Sequence, residues 1–234
     1  MTTKQRVLIT GGANGIGAAI ARRSIEDGYQ PVIIDRTGDG IIADLSNPDE
    51  TEQALKTALA QGPITRLVNN VGVVRPASAE TQTLDDLNLV LSLNLRCAMQ
   101  CMQALVPSMK EAGFGRIVNI SSRAALGKEL RTAYAATKAG LIGMTRVWAL
   151  ELGKFGITSN AIGPGPIKTE LFQKANPDDS PRTKAIINSI PVKRIGLPED
   201  VAQAVSFMLA EQSGFVTGQT LYVCGGMTVG VAPL

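Results

Sequence analysis

The chain has no histidine. That absence removes the side chain that most often moves protons or binds metals near neutral pH, so any acid/base group must be of another kind. Cysteine is scarce too, with Cys97, Cys101 and Cys224 only. Cys97 and Cys101 share a helical face, but two thiols without further ligands do not make a metal site, and no metal is expected. They read as small buried hydrophobes in a reduced, cytoplasmic protein. The net charge of +3 is too small and too dispersed to argue for nucleic acid. The longest apolar runs, such as Arg116-Ile117-Val118-Asn119-Ile120, are of strand length, which argues against a membrane span. The opening Met1-Thr2-Thr3-Lys4-Gln5-Arg6 runs straight into a strand and leaves no room for a signal peptide.

What is present is a globular composition, 44% apolar and 18% charged over 234 residues, long enough for one substantial core and one domain, 1–234. Short β-branched runs alternate with longer amphipathic stretches. Strands are predicted at Val7-Leu8-Ile9-Thr10, Val32-Ile33-Ile34-Asp35, Ile41-Ile42-Ala43-Asp44, Leu67-Val68-Asn69, 117–120, 157–162 and 220–223. Helices are predicted over 16–27, 49–61 (opened by Asn47-Pro48), 84–110, 133–155 and 199–210, with Pro107 kinking or ending the third of them. This alternation, with near-continuous apolar strands, predicts an α/β fold in which a parallel sheet is covered on both faces. Only Arg36-Thr37-Gly38-Asp39-Gly40 joins the second and third strands, shorter than a usual parallel crossover, so the third strand is either short or incomplete. The proline-rich stretch 163–198 reads as an irregular, mobile lid.

Three groups of residues carry chemistry. Thr10-Gly11-Gly12-Ala13-Asn14-Gly15-Ile16-Gly17 follows a strand and opens a helix, the context in which free amides and the helix dipole favour a pyrophosphate. Asp35 closes the second strand, roughly 20 residues on, where an acid can accept from the ribose hydroxyls of NAD and repel the 2′-phosphate of NADP. Arg36 cuts the other way, since a guanidinium accommodates that phosphate. Tyr134 and Lys138 share one helix face. A cation on the adjacent turn is expected to lower the phenol pKa and make the tyrosine a proton carrier. Taken alone, the tyrosine and lysine would suit an ordinary amphipathic helix with a snorkelling lysine.

Together these residues resemble the short-chain dehydrogenase/reductase family in its single-domain form. The glycine turn matches T-G-x-x-x-G-x-G, Asn69-Asn70-Val71-Gly72 matches N-N-A-G, and Tyr134 to Lys138 matches Y-x-x-x-K. Asn94 falls at the family's helix asparagine, and Gly115 to Ser122 at its fifth strand and catalytic serine. Pro164-Gly165-Pro166-Ile167-Lys168-Thr169 matches the P-G-x-x-x-T segment, and Thr217-Gly218-Gln219 the closing part. The chain departs from the family at Val71, where alanine is usual, at Cys224, where aspartate is usual, and in lacking the helix between the second and third strands.

The resemblance implies a Rossmann-like, doubly wound sheet and an NAD(H)-dependent oxidoreductase that interconverts a secondary alcohol and a ketone. The implied catalytic residues are Asn94, Ser122, Tyr134 and Lys138, with Ser122 favoured over Ser121. The implied cofactor-binding residues are Gly11, Asn14, Gly15, Ile16, Gly17, Asp35, Arg36, Asp44, Leu45, Asn70, Val71, Gly72, Tyr134, Lys138, Pro164, Gly165, Ile167 and Thr169. In these roles Tyr134 exchanges a proton with the substrate oxygen, Ser122 holds that oxygen, Lys138 binds the nicotinamide ribose, and Asn94 holds a proton-passing water. NAD is expected over NADP, and the partners are a small-molecule substrate and further copies of the chain, a homotetramer. Leu141, Met144, Val147 and Trp148 supply the apolar surplus for such pairing.

Two other activities compete: a 3-oxoacyl-carrier-protein ketoreductase, against which Asp35 argues, and a cyclic-diol dehydrogenase, which the missing helix suggests. A nucleotide-sensing scaffold without catalysis is the non-enzyme alternative. The segments that border the substrate in this family carry Arg75, Arg123, Lys128 and Arg131 here. They would either recruit an anionic substrate group or form a solvated rim. With so few aromatics (4%), nothing asks for a flat, steroid-sized substrate.

Overall fold

Strands with no polar face need cover on both sides, and the central strands of this protein are buried along their whole length. The computed structural model describes residues 4–230. Seven strands, β1 (Arg6–Thr10), β2 (Gln30–Asp35), β3 (Ile41–Ile42), β4 (Arg66–Asn69), β5 (Gly115–Ile120), β6 (Ile157–Pro164) and β7 (Thr220–Val223), form one sheet in the order 3-2-1-4-5-6-7. All pairings are parallel. The helices are α1 (Gly15–Glu26), α2 (Pro48–Ala60), α3 (Leu84–Leu91), α4 (Cys97–Glu111), α5 (Thr132–Leu152), α6 (Glu170–Ala175), α7 (Pro181–Ser189) and α8 (Pro198–Leu209).

Alternation along each strand divides the apolar side chains between two cores. Leu8, Leu67 and Ile117 pack under α2, α4 and α5 with Leu55, Leu105, Met109 and Leu141. Their neighbours Val7, Ile9, Val68, Val118 and Ile120 face the other way, against Ile20 of α1 and Val201, Val205 and Leu209 of α8. The chain leaves β1 toward β2 and β3 and later returns to the opposite side of β1 as β4. The crevice beyond the carboxyl ends of β1 and β4 is therefore the place where such a sheet binds ligands.

Several sequence expectations are refined here. The third strand is only Ile41–Ile42, in register with Ile34 and Asp35. Five residues suffice for this connection because the strand is two residues long. Gly38 takes a φ of 91°, and a Cβ on Gly40 would lie 2.6 Å from the Ile33 carbonyl oxygen, so the loop lies tight on β2. Asn47 caps α2 as expected, accepting from the Asp49 amide at 2.9 Å with Pro48 in the first turn.

The predicted helix over 84–110 is one continuous helical stretch, Leu84–Glu111, and it does not end at Pro107. It passes through a π turn at Ser92–Arg96, and Pro107 lies inside α4 between the buried anchors Leu105 and Met109. By length and apolar composition alone the stretch Leu84–Glu111 would suffice to cross a membrane, contrary to the strand-length estimate. Its buried side chains Val90, Cys97, Cys101, Leu105 and Met109 belong instead to the protein core. The stretch 163–198 is not irregular either: it holds α6 and α7, capped by the Thr169 and Ser180 hydroxyls. The three cysteines are free and buried.

Candidate active site

The glycine turn lies at the switch-point crevice. Gly11 and Gly15 adopt φ of 67° and 54°, which disfavour any side chain. A Cβ on Gly17 would stand 2.0 Å from the Gly11 carbonyl oxygen and 2.6 Å from Asn70 Nδ2. No side chain caps the N-terminus of α1, not even Asn14 at the cap position, and its first turn holds no acid. Backbone amides and the positive end of the helix thus remain available to an anion. Asn70 ties β4 to this turn, donating to the carbonyls of Thr10 at 3.0 Å and Gly11 at 2.9 Å, while Thr10 Oγ1 accepts from the Asn70 and Val71 amides at 3.1 Å. Across the cleft, the Thr169 methyl group is 3.4 Å from where a Gly15 Cβ would be. Pro164, Gly165 and Ile167 lead to it: Gly165 N donates to the Val223 carbonyl at 2.9 Å, and Ile167 is buried.

Asp35 sits at the end of β2 with both carboxylate oxygens engaged. Oδ2 accepts from Ala13 N at 3.0 Å and Oδ1 from Arg36 N at 2.7 Å. It therefore braces the glycine turn and retains lone pairs for a ribose hydroxyl. Arg36 is exposed beside it. Asp44 accepts from Ser46 N at 2.8 Å, which lowers its pKa, with Arg36 and Arg96 adding to the effect. Leu45 is buried next to it, and its carbonyl accepts from Arg96 at 3.4 Å.

Ser122, Tyr134 and Lys138 converge from the end of β5 and the first turns of α5. The two serines diverge, as strand alternation requires. Ser121 Oγ donates to the Lys138 carbonyl at 2.7 Å, inside the core. Ser122 Oγ accepts from Ala124 N at 3.1 Å and lies near enough to the Tyr134 phenol to favour its ionised form. The Lys138 ammonium donates to the Ile120 carbonyl at 2.7 Å and lies 5.7 Å from the Tyr134 ring centroid. Gly72 makes room for it, since a Cβ there would be 3.2 Å from Lys138 Nζ and 3.1 Å from Asn94 Oδ1. Asn94, on the π turn, has its amide largely engaged. It accepts from Val73 N at 2.9 Å and donates to the Val73 carbonyl at 3.1 Å and to Thr137 Oγ1 at 3.0 Å. One lone pair of Oδ1 is left for a water.

One electrostatic expectation is corrected. The Tyr134 pKa is raised, not lowered: burial dominates, and the nearby Ser122 hydroxyl and then the Arg131 charge oppose it. Lys138 is not the opposing charge, because burial pulls its own pKa down to about 8. Sequence reasoning also passed over Thr137, which orients Asn94, and the role of Thr10 as a double acceptor. Both lie inside motifs whose neighbours drew attention, but hydroxyl roles of this kind have no spacing signature. Arg75 lies 3.5 Å from Asp86 and is not one of a free group of cations.

A dinucleotide cradle beside a serine, a tyrosine and a lysine defines a nucleotide-dependent oxidoreductase acting on CH–OH or carbonyl groups. The family model described as enoyl-(acyl carrier protein) reductase matches residues 11–228, and the chain belongs to the short-chain dehydrogenase/reductase family. It is 37% identical over 240 residues to the (2S)-[(R)-hydroxy(phenyl)methyl]succinyl-CoA dehydrogenase subunit BbsD of Thauera aromatica, covering 95% of this chain and 96% of that one. It is 35% identical to the 3-oxoacyl-[acyl-carrier-protein] reductase FabG of Rickettsia bellii, with 95% and 96% covered. Among solved structures, a gluconate 5-dehydrogenase from Burkholderia cenocepacia in complex with NADP and tartrate superposes with a TM-score of 0.90 at 30% identity, covering 97% and 96%. The scaffold reading is accordingly set aside.

The burial of Lys138 gives a stability prediction. Holding its pKa near 8 instead of the ordinary 10.5 costs on the order of 3 kcal/mol at neutral pH. Between those values the unfolded chain binds more protons than the folded one, so stability rises with pH across that window. Lys138→Met removes the buried charge but leaves the Ile120 carbonyl unpaired, a loss of about 1 kcal/mol. The variant should therefore be about 1–2 kcal/mol more stable than the parent at pH 7 in urea unfolding without cofactor. Its advantage should vanish as pH rises from 8 to 10.5. A variant less stable at pH 7, or a gap independent of pH, would show that the ammonium carries no such burden.

Proposed function

We propose that Tyr134 is the proton-transfer group of an NAD(H)-linked interconversion of a secondary alcohol and a ketone. The observation that carries this reading is the convergence of the Tyr134 phenol, the Ser122 hydroxyl and the buried Lys138 ammonium at the crevice. When bound, the nicotinamide supplies the acceptor or donor of hydride. The glycine turn of Gly11, Asn14, Gly15, Ile16 and Gly17 would hold the pyrophosphate. Asp35, Asp44 and Leu45 would hold the adenosine side, with the Asn70-Val71-Gly72 backbone beneath it. Lys138, Tyr134, Pro164, Gly165, Ile167 and Thr169 would hold the nicotinamide side. Ser122 holds the substrate oxygen against Tyr134, which donates its proton in reduction and takes one in oxidation. With its pKa raised, the phenol is protonated at neutral pH and so holds the proton that reduction needs. Deprotonation in the oxidative direction needs Lys138 charged, and a proton then leaves past the free lone pair of Asn94 Oδ1. The segment 163–198 closes over the substrate through α6 and α7.

NAD is proposed over NADP because the Asp35 carboxylate faces the turn where a 2′-phosphate would add charge. A specific observation favours the opposite choice: Arg36 is exposed beside it, and solved relatives are complexed with NADP or NADPH. A 3-oxoacyl thioester ketoreductase is the second reading of the substrate, supported by the likeness to the Rickettsia bellii protein.

The chain is also proposed to form a homotetramer through α4, α5 and the β7 edge. Of the apolar surplus the sequence suggested on α5, Leu141 and Trp148 are buried, so only part of it remains at the surface. Val147 and Leu150 are exposed, as are Phe207, Phe215 and Leu221 near the β7 edge.

Tyr134→Phe keeps the ring and removes the phenol. It should bind NADH normally, by fluorescence titration, yet turn over a confirmed substrate at least about a hundredfold more slowly. Retention of most activity would remove Tyr134 from the mechanism. In wild type, kcat/KM should favour NAD over NADP by at least about tenfold, equivalent to about 1.4 kcal/mol, and Asp35→Ser should narrow the ratio. A wild-type preference for NADP would mean that Arg36 outweighs Asp35. Sedimentation at micromolar concentration should show a tetramer, and a stable monomer would contradict the assembly.

A further inference from the structure

A cavity of about 550 Å³ opens between the loop after Ser122 and helix α7. Arg123, Lys128, Arg131 and Arg182 line it, with Leu130 and a single acid, Glu129, among its described residues. Among the described residues, none of the four cations is ion-paired. The Arg131 guanidinium has one hydrogen-bond partner among the described residues, the Leu130 carbonyl at 2.9 Å.

Such crowding is unfavourable without a counter-charge. Lys128 as a residue is exposed, but protein surrounds its ammonium enough for desolvation to lower its pKa, and repulsion from Arg131, Arg123 and Arg182 adds to this. The backbone that presents these groups is strained as well. Leu130 is in the left-handed region with φ of 59°, an arrangement for a non-glycine residue that persists only where its surroundings enforce it. The same loop is tied to the segment before α3 by the Ala77 amide, which donates to the Leu130 carbonyl at 3.3 Å. A solvated rim would let like charges spread apart; here they are gathered around one volume from two separate elements.

We propose that this cavity seats a phosphate ester carried by the substrate, at the end remote from the reacting carbon. The proposal rests on the oxidoreductase reading of the neighbouring site. Ser122 directly precedes Arg123, and the Arg131 charge is felt at the Tyr134 phenol, so one extended substrate can reach both places. Guanidinium forks match phosphate oxygens in pairs. A singly charged carboxylate would leave most of the charge uncompensated, whereas a dianionic phosphate offsets more of it. The phosphate could belong to a small phosphorylated alcohol or to the pyrophosphate of an acyl-coenzyme A thioester, either of which carries two negative charges.

Calorimetric titration of inorganic phosphate into the protein saturated with NADH, at low salt and with acetate as the comparison anion, tests this directly. Phosphate should bind at least about tenfold more tightly than acetate and weaken as potassium chloride is added. Lys128→Gln combined with Arg182→Gln should reduce that affinity by about tenfold or more while NADH fluorescence binding is kept. The single Arg182→Gln change, on the exposed surface of α7, gives the same test if the double variant is unstable. Equal binding of phosphate and acetate, or phosphate affinity unchanged in the variants, would overturn the proposal. Loss of NADH binding in the unaltered protein would instead overturn the reading of the adjacent site. Glycerol 3-phosphate and coenzyme A separate the two sources, since the tighter of them identifies the kind of molecule that carries the phosphate.

Discussion

The charge on Lys138, a residue only 3% exposed, sets the terms for the rest of the site. A buried charge is tolerated only when its environment is arranged for it, and each neighbouring element contributes. The Ile120 carbonyl at the end of β5 accepts from the ammonium, and the Ser121 hydroxyl fixes the backbone of Lys138 by donating to the Lys138 carbonyl. Gly72 must lack a side chain to admit both Lys138 and Asn94. The residual penalty appears as a pKa of about 8, which places the lysine where it can both hold a charge and release a proton under physiological conditions.

That arrangement depends on the sheet. Parallel order 3-2-1-4-5-6-7 brings the ends of β1, β4, β5 and β6 side by side, so the glycine turn, Asn70, Ser122 and Pro164 share one rim. Thr10 and Asn70 then bind two of these ends together through hydrogen bonds of about 3 Å. The glycine turn, Asn70 and the Ser122–Tyr134–Lys138 group thus stand on one connected rim. The segment with α6 and α7 attaches on the far side of the cleft, which is also the side from which Arg182 reaches the cationic cavity.

Strand positions were legible because apolar, β-branched runs have few other uses, and the motifs were legible because their spacing must match one turn or one helix face. What escaped involves residues distant in sequence. The π turn at Ser92–Arg96 has no apolar period of its own. Pro107 reads from the sequence as kinking or ending the helix, but α4 continues past it with buried side chains on both sides. The Tyr134 pKa was judged from its nearest cation in sequence, whereas burial, Ser122 and Arg131 decide it. Arg75 was counted with the mouth cations, yet it lies beside Asp86, and Arg182 takes its place.

The sequence alone determined the alternating α/β order, the glycine cradle and the shared helix face of Tyr134 and Lys138, since each depends on local spacing along one chain segment. Only the tertiary structure decided which serine meets the tyrosine, how far burial shifts the two ionisable groups, and which cations stand unpaired around one cavity. Those outcomes depend on desolvation and on charges carried by elements far apart in the chain, and neither is encoded in any single stretch of residues.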